Sequence, residues 1–214
     1  MRFFVIRHGE TAWNVEGRFQ GQMDTELNAK GLEQASLVAE RLAGHKFEAV
    51  VTSPLSRARV TAEKTACLSG CSEFVVDEGF TEINHGDWEG CLADEIYAKW
   101  PEILSKWHTK PESVKMPGKT GETLDDVQKR AIRSADAVAG RYTGDVILAS
   151  HDAVIKVLLC YWLDAPLSSF WRFQIPNCSI TVIEILPGKA PRMLLMGDAS
   201  HIGNAFDRPE QKGL

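Results

Sequence analysis

Short apolar runs and stretches with apolar residues three and four apart take turns along the chain. Arg2 to Ile6 reads as a buried strand, and Leu32, Ala35, Val38, Ala39 and Leu42 then recur at helical spacing until Gly44 stops the run. Phe47 to Thr52 is the next strand, broken by Pro54, and Ala58 to Cys67 reads as a helix with Arg57 at its entrance. Phe74 to Val76 is a third, short strand. The stretch Glu82 to Gly90 is too polar and glycine-rich for core and reads as a loop. Thr123 caps a helix from Leu124 to Gly140, with Asp125 and Asp126 at the favourable end of its dipole. Val146 to Ala149, a helix from Ala153 to Leu163, and strands at Ser179 to Leu186 and Arg192 to Met196 complete the series.

Strands alternating with helices predict a three-layer α/β/α sandwich. Its central sheet should be mostly parallel and mixed near the C-terminus. The length, 214 residues, suits one large core, so residues 1–214 are expected to form a single domain. The segment 92–119, rich in tryptophan, lysine and proline, predicts short helices at Ala93 to Lys99 and Ile103 to Trp107. It reads as a lid following the polar loop, with a helical cover over a sheet edge as the equal alternative.

Composition narrows the function classes. The net charge is −5, with lysine and arginine scattered instead of gathered into a stripe, which argues against nucleic-acid or anionic-membrane binding. No apolar window is long enough to span a bilayer, and Met1 to Ile6 enters a chemistry-bearing motif too soon for a signal peptide, so a cytoplasmic location is expected. A homodimer is compatible with the chain. The five cysteines read as reduced thiols; Cys67 and Cys71 are expected half-buried and not as a zinc pair, having no adjacent histidine or second pair.

The candidate chemistry sits where strands end. The first strand runs into Arg7-His8-Gly9-Glu10-Thr11, and Val146 to Ala149 runs into Ser150-His151. Histidines at the carboxyl ends of two strands are what a site at the edge of an α/β sheet looks like. A neutral imidazole is a good nucleophile at phosphorus and guanidinium matches phosphoryl oxygens, so the expected partner is a small phosphomonoester. Gly9 is expected to let the backbone approach the phosphate, with Thr11 and Asn14 adding hydroxyl and amide donors. Arg57 follows a strand and opens a helix, where guanidinium and helix N-terminus can converge on one anion. These residues alone leave open a tautomer-fixed core histidine for His8, a surface arginine for Arg57 and a cap histidine for His151. Glu82 is the best-placed carboxylate to protonate a leaving oxygen, with Glu10, Asp87 and Glu89 as competitors. With several cations in one site and no paired-carboxylate cluster, neither a metal nor another cofactor is expected. His85, three residues past Glu82, is a candidate to read a substrate carboxylate, or else a brace for its loop; His201 is a candidate to close over the same end.

Together the ordered motifs resemble the histidine phosphatase superfamily, which contains cofactor-dependent phosphoglycerate mutases and many small-molecule phosphatases. The motifs are Arg7 to Thr11 with Trp13-Asn14, Gly17-Arg18-Phe19-Gln20-Gly21, Leu27 with Gly31, Ser53 to Ala58 with Thr61-Ala62, Trp88-Glu89-Gly90, Gly121 to Leu124, and Ser150-His151. The resemblance implies that His8 becomes the phosphohistidine, that Arg7, Arg57 and His151 bind the phosphoryl group, that Glu82 donates the proton, and that Gln20 and Gly21 adjoin the substrate. The brevity of 92–119 favours phosphatase over mutase. The loop Glu82 to Gly86 and Ser169-Phe170-Trp171 with Asn177 and Ser179 are similar to the metal-independent phosphoserine phosphatases, with alpha-ribazole phosphatase and a non-catalytic phospholigand binder as alternatives. Asp152 departs from the family, which usually has a small residue after the histidine. A carboxylate there either disfavours phosphate or turns to solvent and caps the following helix, and the cap is the expected reading.

Overall fold

The computed structural model describes residues 1–203; residues 204–214, included in the domain expectation, lie outside the described residues. Among the described residues six strands form one sheet: β1 (Arg2–Arg7), β2 (Ala49–Thr52), β3 (Phe74–Val76), β4 (Val146–Ser150), β5 (Ile180–Glu184) and β6 (Arg192–Asp198), in the order β3-β2-β4-β1-β5-β6. The first four run parallel, while β5 pairs antiparallel with β1 and with β6. Among the described residues seven α-helices accompany them: α1 (Ala12–Glu16), α2 (Ala29–Leu42), α3 (Ser56–Ser69), α4 (Ala93–Lys99), α5 (Pro101–Thr109), α6 (Leu124–Arg141) and α7 (Asp152–Trp162).

Side-chain alternation along the strands builds the two outer layers. Phe4, Ile6, Val50, Ile147 and Ala149 face Ala35, Val38 and Leu42 of α2 and Ala62 and Ala66 of α3. Their strand neighbours Phe3, Val5, Val51, Val146 and Leu148 face the opposite way, toward Val127, Ala131 and Ala135 of α6 and Val154, Leu158 and Leu159 of α7. A sheet buried on both faces explains why β1 and β4 read as nearly continuous apolar runs. The expected three-layer sandwich is therefore the observed one.

Differences from the sequence reading have local causes. Leu32 is largely exposed, so the buried face of α2 starts at Gly31 and Gln34 instead. Helix α3 begins at Ser56, whose N–H is held by the Asp24 carboxylate. Cys67 is exposed, since it lies on the outer side of α3. The short helix α1 was not predicted; its whole signal is the reciprocal cap in which Thr11 Oγ1 accepts from Asn14 N and Asn14 Oδ1 accepts from Thr11 N.

The segment 92–119 contributes Ile96, Leu104, Trp107, Val114 and Met116 to the core beneath α6 and α7. Trp107 is completely buried and packs on Phe170 and Trp171 of the short 3-10 helical segment Leu167–Arg172, whose Trp171 indole donates to the Trp107 carbonyl. Burying one such indole is worth about 2–3 kcal/mol. Among the described residues no helix is long and apolar enough to cross a membrane.

Candidate active site

Strand register assembles the site. Arg7 pairs with Ser150, and His8 N donates to the Ser150 carbonyl at 3.0 Å, so the residues that follow β1 and β4 emerge side by side. The ring centroids of His8 and His151 are 5.2 Å apart. Arg57, in the first turn of α3 just beyond β2, comes to the same carboxyl edge of the sheet. These four side chains and Glu82 are all buried, a dense set of ionisable groups of the kind that marks functional sites.

His8 is fixed in one tautomer. Its Nδ1 donates to the Gly9 carbonyl at 2.7 Å, which leaves Nε2 without a proton. Burial first, then the charges of Arg57 and Arg7, hold its pKa well below the usual imidazole value. A neutral imidazole with a free Nε2 beside two guanidiniums can attack an electrophilic phosphorus. His151 is likewise held neutral, by burial and then by Arg57, His8, Arg130 and Arg7. Its Nε2 shares a 2.7 Å hydrogen bond with Ser53 Oγ, at the end of β2.

Backbone carbonyls aim the arginines. Arg57 Nη1 and Nη2 donate to Met23 O and Gly21 O at 2.9 and 2.7 Å, and burial lowers its pKa to about 10, which leaves it charged at neutral pH. Its Nε has no partner among the described residues. Arg7 Nη1 donates to Ile175 O at 2.7 Å and meets Asp152 Oδ1 at 3.4 Å. Among the described residues the amide nitrogens of Asn14 and Gln20 are uncommitted too, since only their oxygens are engaged: Asn14 Oδ1 by Thr11 and Asn177, and Gln20 Oε1 by Thr11 and Thr25. Buried polar atoms are normally paired, so unpaired donors in a cationic site select for an anion.

The acid loop is clamped from three sides. Ser150 Oγ donates to Phe80 O, Gln22 Nε2 donates to Glu82 O at 3.0 Å, and Arg130 of α6 donates to Gly79 O, Thr81 O and Glu82 O while pairing with Glu122. Burial raises the Glu82 pKa and the charge of Asp152 adds to this, against Ile83 N–H, Arg57 and Arg7. A carboxyl group raised in this way can hold a proton to give to a leaving oxygen. Its competitors are occupied elsewhere: Glu10 pairs with Lys30 and Asn28, Glu89 accepts from Gln22 N and His85 N, and Asp87 lies against Gly118.

Other expected residues are placed differently. Thr11 is wholly buried and its hydroxyl is committed to Asn14 and Gln20, so it orients those amides instead of facing a ligand. Gly21 is built into the Arg57 cradle; its φ is +52°, and a Cβ there would lie 2.1 Å from Glu89 Oε1. At Gly9 the close backbone approach is to Gly31, whose carbonyl a Cβ would meet at 2.5 Å, which locks the motif loop onto the start of α2. His85 is fully buried, edge-on to Phe19 and Trp107 and stacked on Trp88, and burial followed by Arg57 lowers its pKa to about 3. His201 is not brought to that end: its Nε2 donates to the Cys178 carbonyl at 3.0 Å, near Asp198 and Arg41.

The cap reading of Asp152 is overturned. His151 is the N-cap of α7, and the Asp152 carboxylate turns inward, 1% exposed, between Arg7 and Lys156. Gln22, Arg130 and Lys156 were missed by sequence reasoning, and Ser53 was read only as part of a motif, with no role of its own. Lys156 alone carried a signal, a single lysine four residues from Asp152 in a helix otherwise apolar. Among the described residues no group of three or more His, Cys, Asp or Glu is arranged to hold a metal ion.

Comparison with known proteins agrees with this arrangement. Phosphoserine phosphatase 1 of Hydrogenobacter thermophilus is 33% identical over 207 residues, 96% of each chain. Bacillus stearothermophilus YhfR superimposes with a TM-score of 0.87 at 34% identity, covering 94% of this chain and 99% of the other. A phosphoserine phosphatase mutant from Entamoeba histolytica, in complex with phosphoserine, superimposes with a TM-score of 0.80 at 30% identity, covering 94% and 98%. The profile of the Histidine phosphatase superfamily (branch 1) matches residues 3–199. The chain thus belongs to the histidine phosphatase superfamily, in its phosphatase branch, and acts on small phosphomonoesters.

Proposed function

We propose that this enzyme hydrolyses a carboxylate-bearing phosphomonoester, phosphoserine foremost, through a phosphohistidine on His8 and without a metal. The observation that carries the reading is His8 itself, tautomer-fixed by Gly9 O and buried between two guanidiniums with Nε2 free. In the first step Nε2 forms a bond to phosphorus as the ester P–O bond breaks, and the leaving oxygen takes the proton held by Glu82. Arg7, Arg57 and the Asn14 amide bind the phosphoryl oxygens. His151 joins them as an N–H donor, since an arriving dianion favours a protonated imidazole. In the second step water, giving its proton to the Glu82 carboxylate, attacks phosphorus and breaks the P–N bond, which releases phosphate and restores both residues.

Support for phosphoserine comes from the relatives named phosphoserine phosphatase, which align over nearly the whole chain. His85 does not add to it: the ring is fully buried against Phe19, Trp88 and Trp107 and braces the acid loop from within.

A substrate panel in EDTA tests this reading: phosphoserine, 3-phosphoglycerate with and without 2,3-bisphosphoglycerate, ribazole phosphate and sugar phosphates. Phosphate release should persist in EDTA with the highest kcat/KM for phosphoserine. Activity restored only by a divalent cation would remove the metal-free step. A preferred ester without a carboxylate would remove the substrate assignment. Isomerisation of 3-phosphoglycerate outrunning hydrolysis would make the enzyme a mutase.

A further inference from the structure

Helix α7 is apolar along its length except for Asp152 and Lys156, and both are buried, at 1% and 4% exposure. Burying two charges is costly unless the geometry around them compensates. Here the compensation is specific. Lys156 Nζ lies 2.6 Å from Asp152 Oδ2, an ion contact outside hydrogen-bond geometry, and sits 4.9 and 4.8 Å from the ring centres of Phe170 and Trp171. The other carboxylate oxygen meets Arg7 Nη1 at 3.4 Å, and the same Nη1 donates to Ile175 O.

We propose that Asp152, neutralised by Lys156, is a positioning residue that fixes the Arg7 guanidinium for phosphoryl binding and places a negative charge facing Glu82. A guanidinium carries its donors in one rigid plane, so two acceptors on Nη1 set the direction of the whole fork. A carboxylate this close would by itself offset the charge that attracts phosphate. Lys156 removes that penalty and leaves the trio with a net positive charge. Glu82 faces Asp152 from α7, Arg7 from β1 and Arg57 from α3, with Ile83 N–H on Oε1 and Arg130 of α6 at its carbonyl. Asp152 opposes loss of the Glu82 proton, whereas the two arginines favour it.

The proposal rests on the reading of Arg7 as a phosphoryl ligand. Its test compares D152G, D152N and K156M with wild type by orthovanadate inhibition of p-nitrophenyl phosphate hydrolysis. It adds the pH profile of kcat/KM on the best alkyl phosphate of the panel, and thermal unfolding to verify that each variant is folded. D152G should weaken orthovanadate inhibition by about tenfold to a hundredfold, as loss of one charge-assisted hydrogen bond would. D152N, which keeps an acceptor for Arg7, should retain most of the inhibition but move the basic limb to lower pH. K156M, which leaves the carboxylate uncompensated, should move the limb to higher pH and also weaken orthovanadate. Opposite shifts from the two members of one ion pair are not produced by loosened packing. If folded D152G binds orthovanadate like wild type and neither limb moves, the positioning role is overturned while the phosphatase reading stands. A wild-type protein that neither hydrolyses phosphomonoesters nor binds orthovanadate overturns both.

Discussion

With His8 replaced by alanine, turnover of every phosphomonoester should fall by about 10⁴-fold or more, the scale of losing a covalent nucleophile. The reason is geometric. The only proton on the imidazole is held by Gly9 O, and burial, followed by the charges of Arg57 and Arg7, keeps the ring neutral, so Nε2 is a lone pair in a cationic site. Removing it leaves Arg7 and Arg57 anchored on Ile175 O, Met23 O and Gly21 O. Inorganic phosphate should therefore still bind to the variant, with loss confined to kcat. Steady-state rates with p-nitrophenyl phosphate check this; an H8A variant within about tenfold of wild type would place the nucleophile elsewhere.

Glu82→Gln should separate substrates by leaving group. An alkoxide needs a proton as it departs and nitrophenolate does not, so kcat/KM, which reports formation of the phosphoenzyme, should fall about 10²- to 10⁴-fold for alkyl phosphates and by about tenfold or less for p-nitrophenyl phosphate, while the shared loss of the base for water appears in kcat. The pH dependence has a definite sign. Burial raises the Glu82 pKa, so the protonated, active form persists above the ordinary carboxyl range and activity on alkyl phosphates falls as pH rises through that raised value. In the glutamine variant that basic limb should vanish, because the amide does not titrate. Equal losses on both esters, with the limb intact, would point to another acid.

Much of this site was legible because apolar strands end directly in chemistry. Arg7, His8 and His151 stand at the carboxyl ends of β1 and β4, and a strand buried on both faces announces itself as an unbroken apolar run. The pairing that sets His8 beside His151 was not legible, since Arg7↔Ser150 joins residues far apart in the chain and nothing local specifies the register. Asp152 was misread for a related reason. At a helix start a carboxylate ordinarily caps or faces water, and only the approach of Arg7 from another strand turns this one inward. Thr11 and Gly21 hold Gln20 and Arg57 in place instead of facing the site themselves, a distinction carried by hydrogen bonds that residue types alone do not reveal. The partners of Arg130 are backbone carbonyls of the acid loop, which have no sequence signature.

The central claim, that phosphoryl transfer passes through His8, is tested most directly by rapid quench with phosphorus-labelled substrate. A phosphoramidate at Nε2 should appear before free phosphate, survive alkali, decay in acid and be absent from H8A. Label that persists in H8A, or that is stable in acid and lost in alkali, would contradict it.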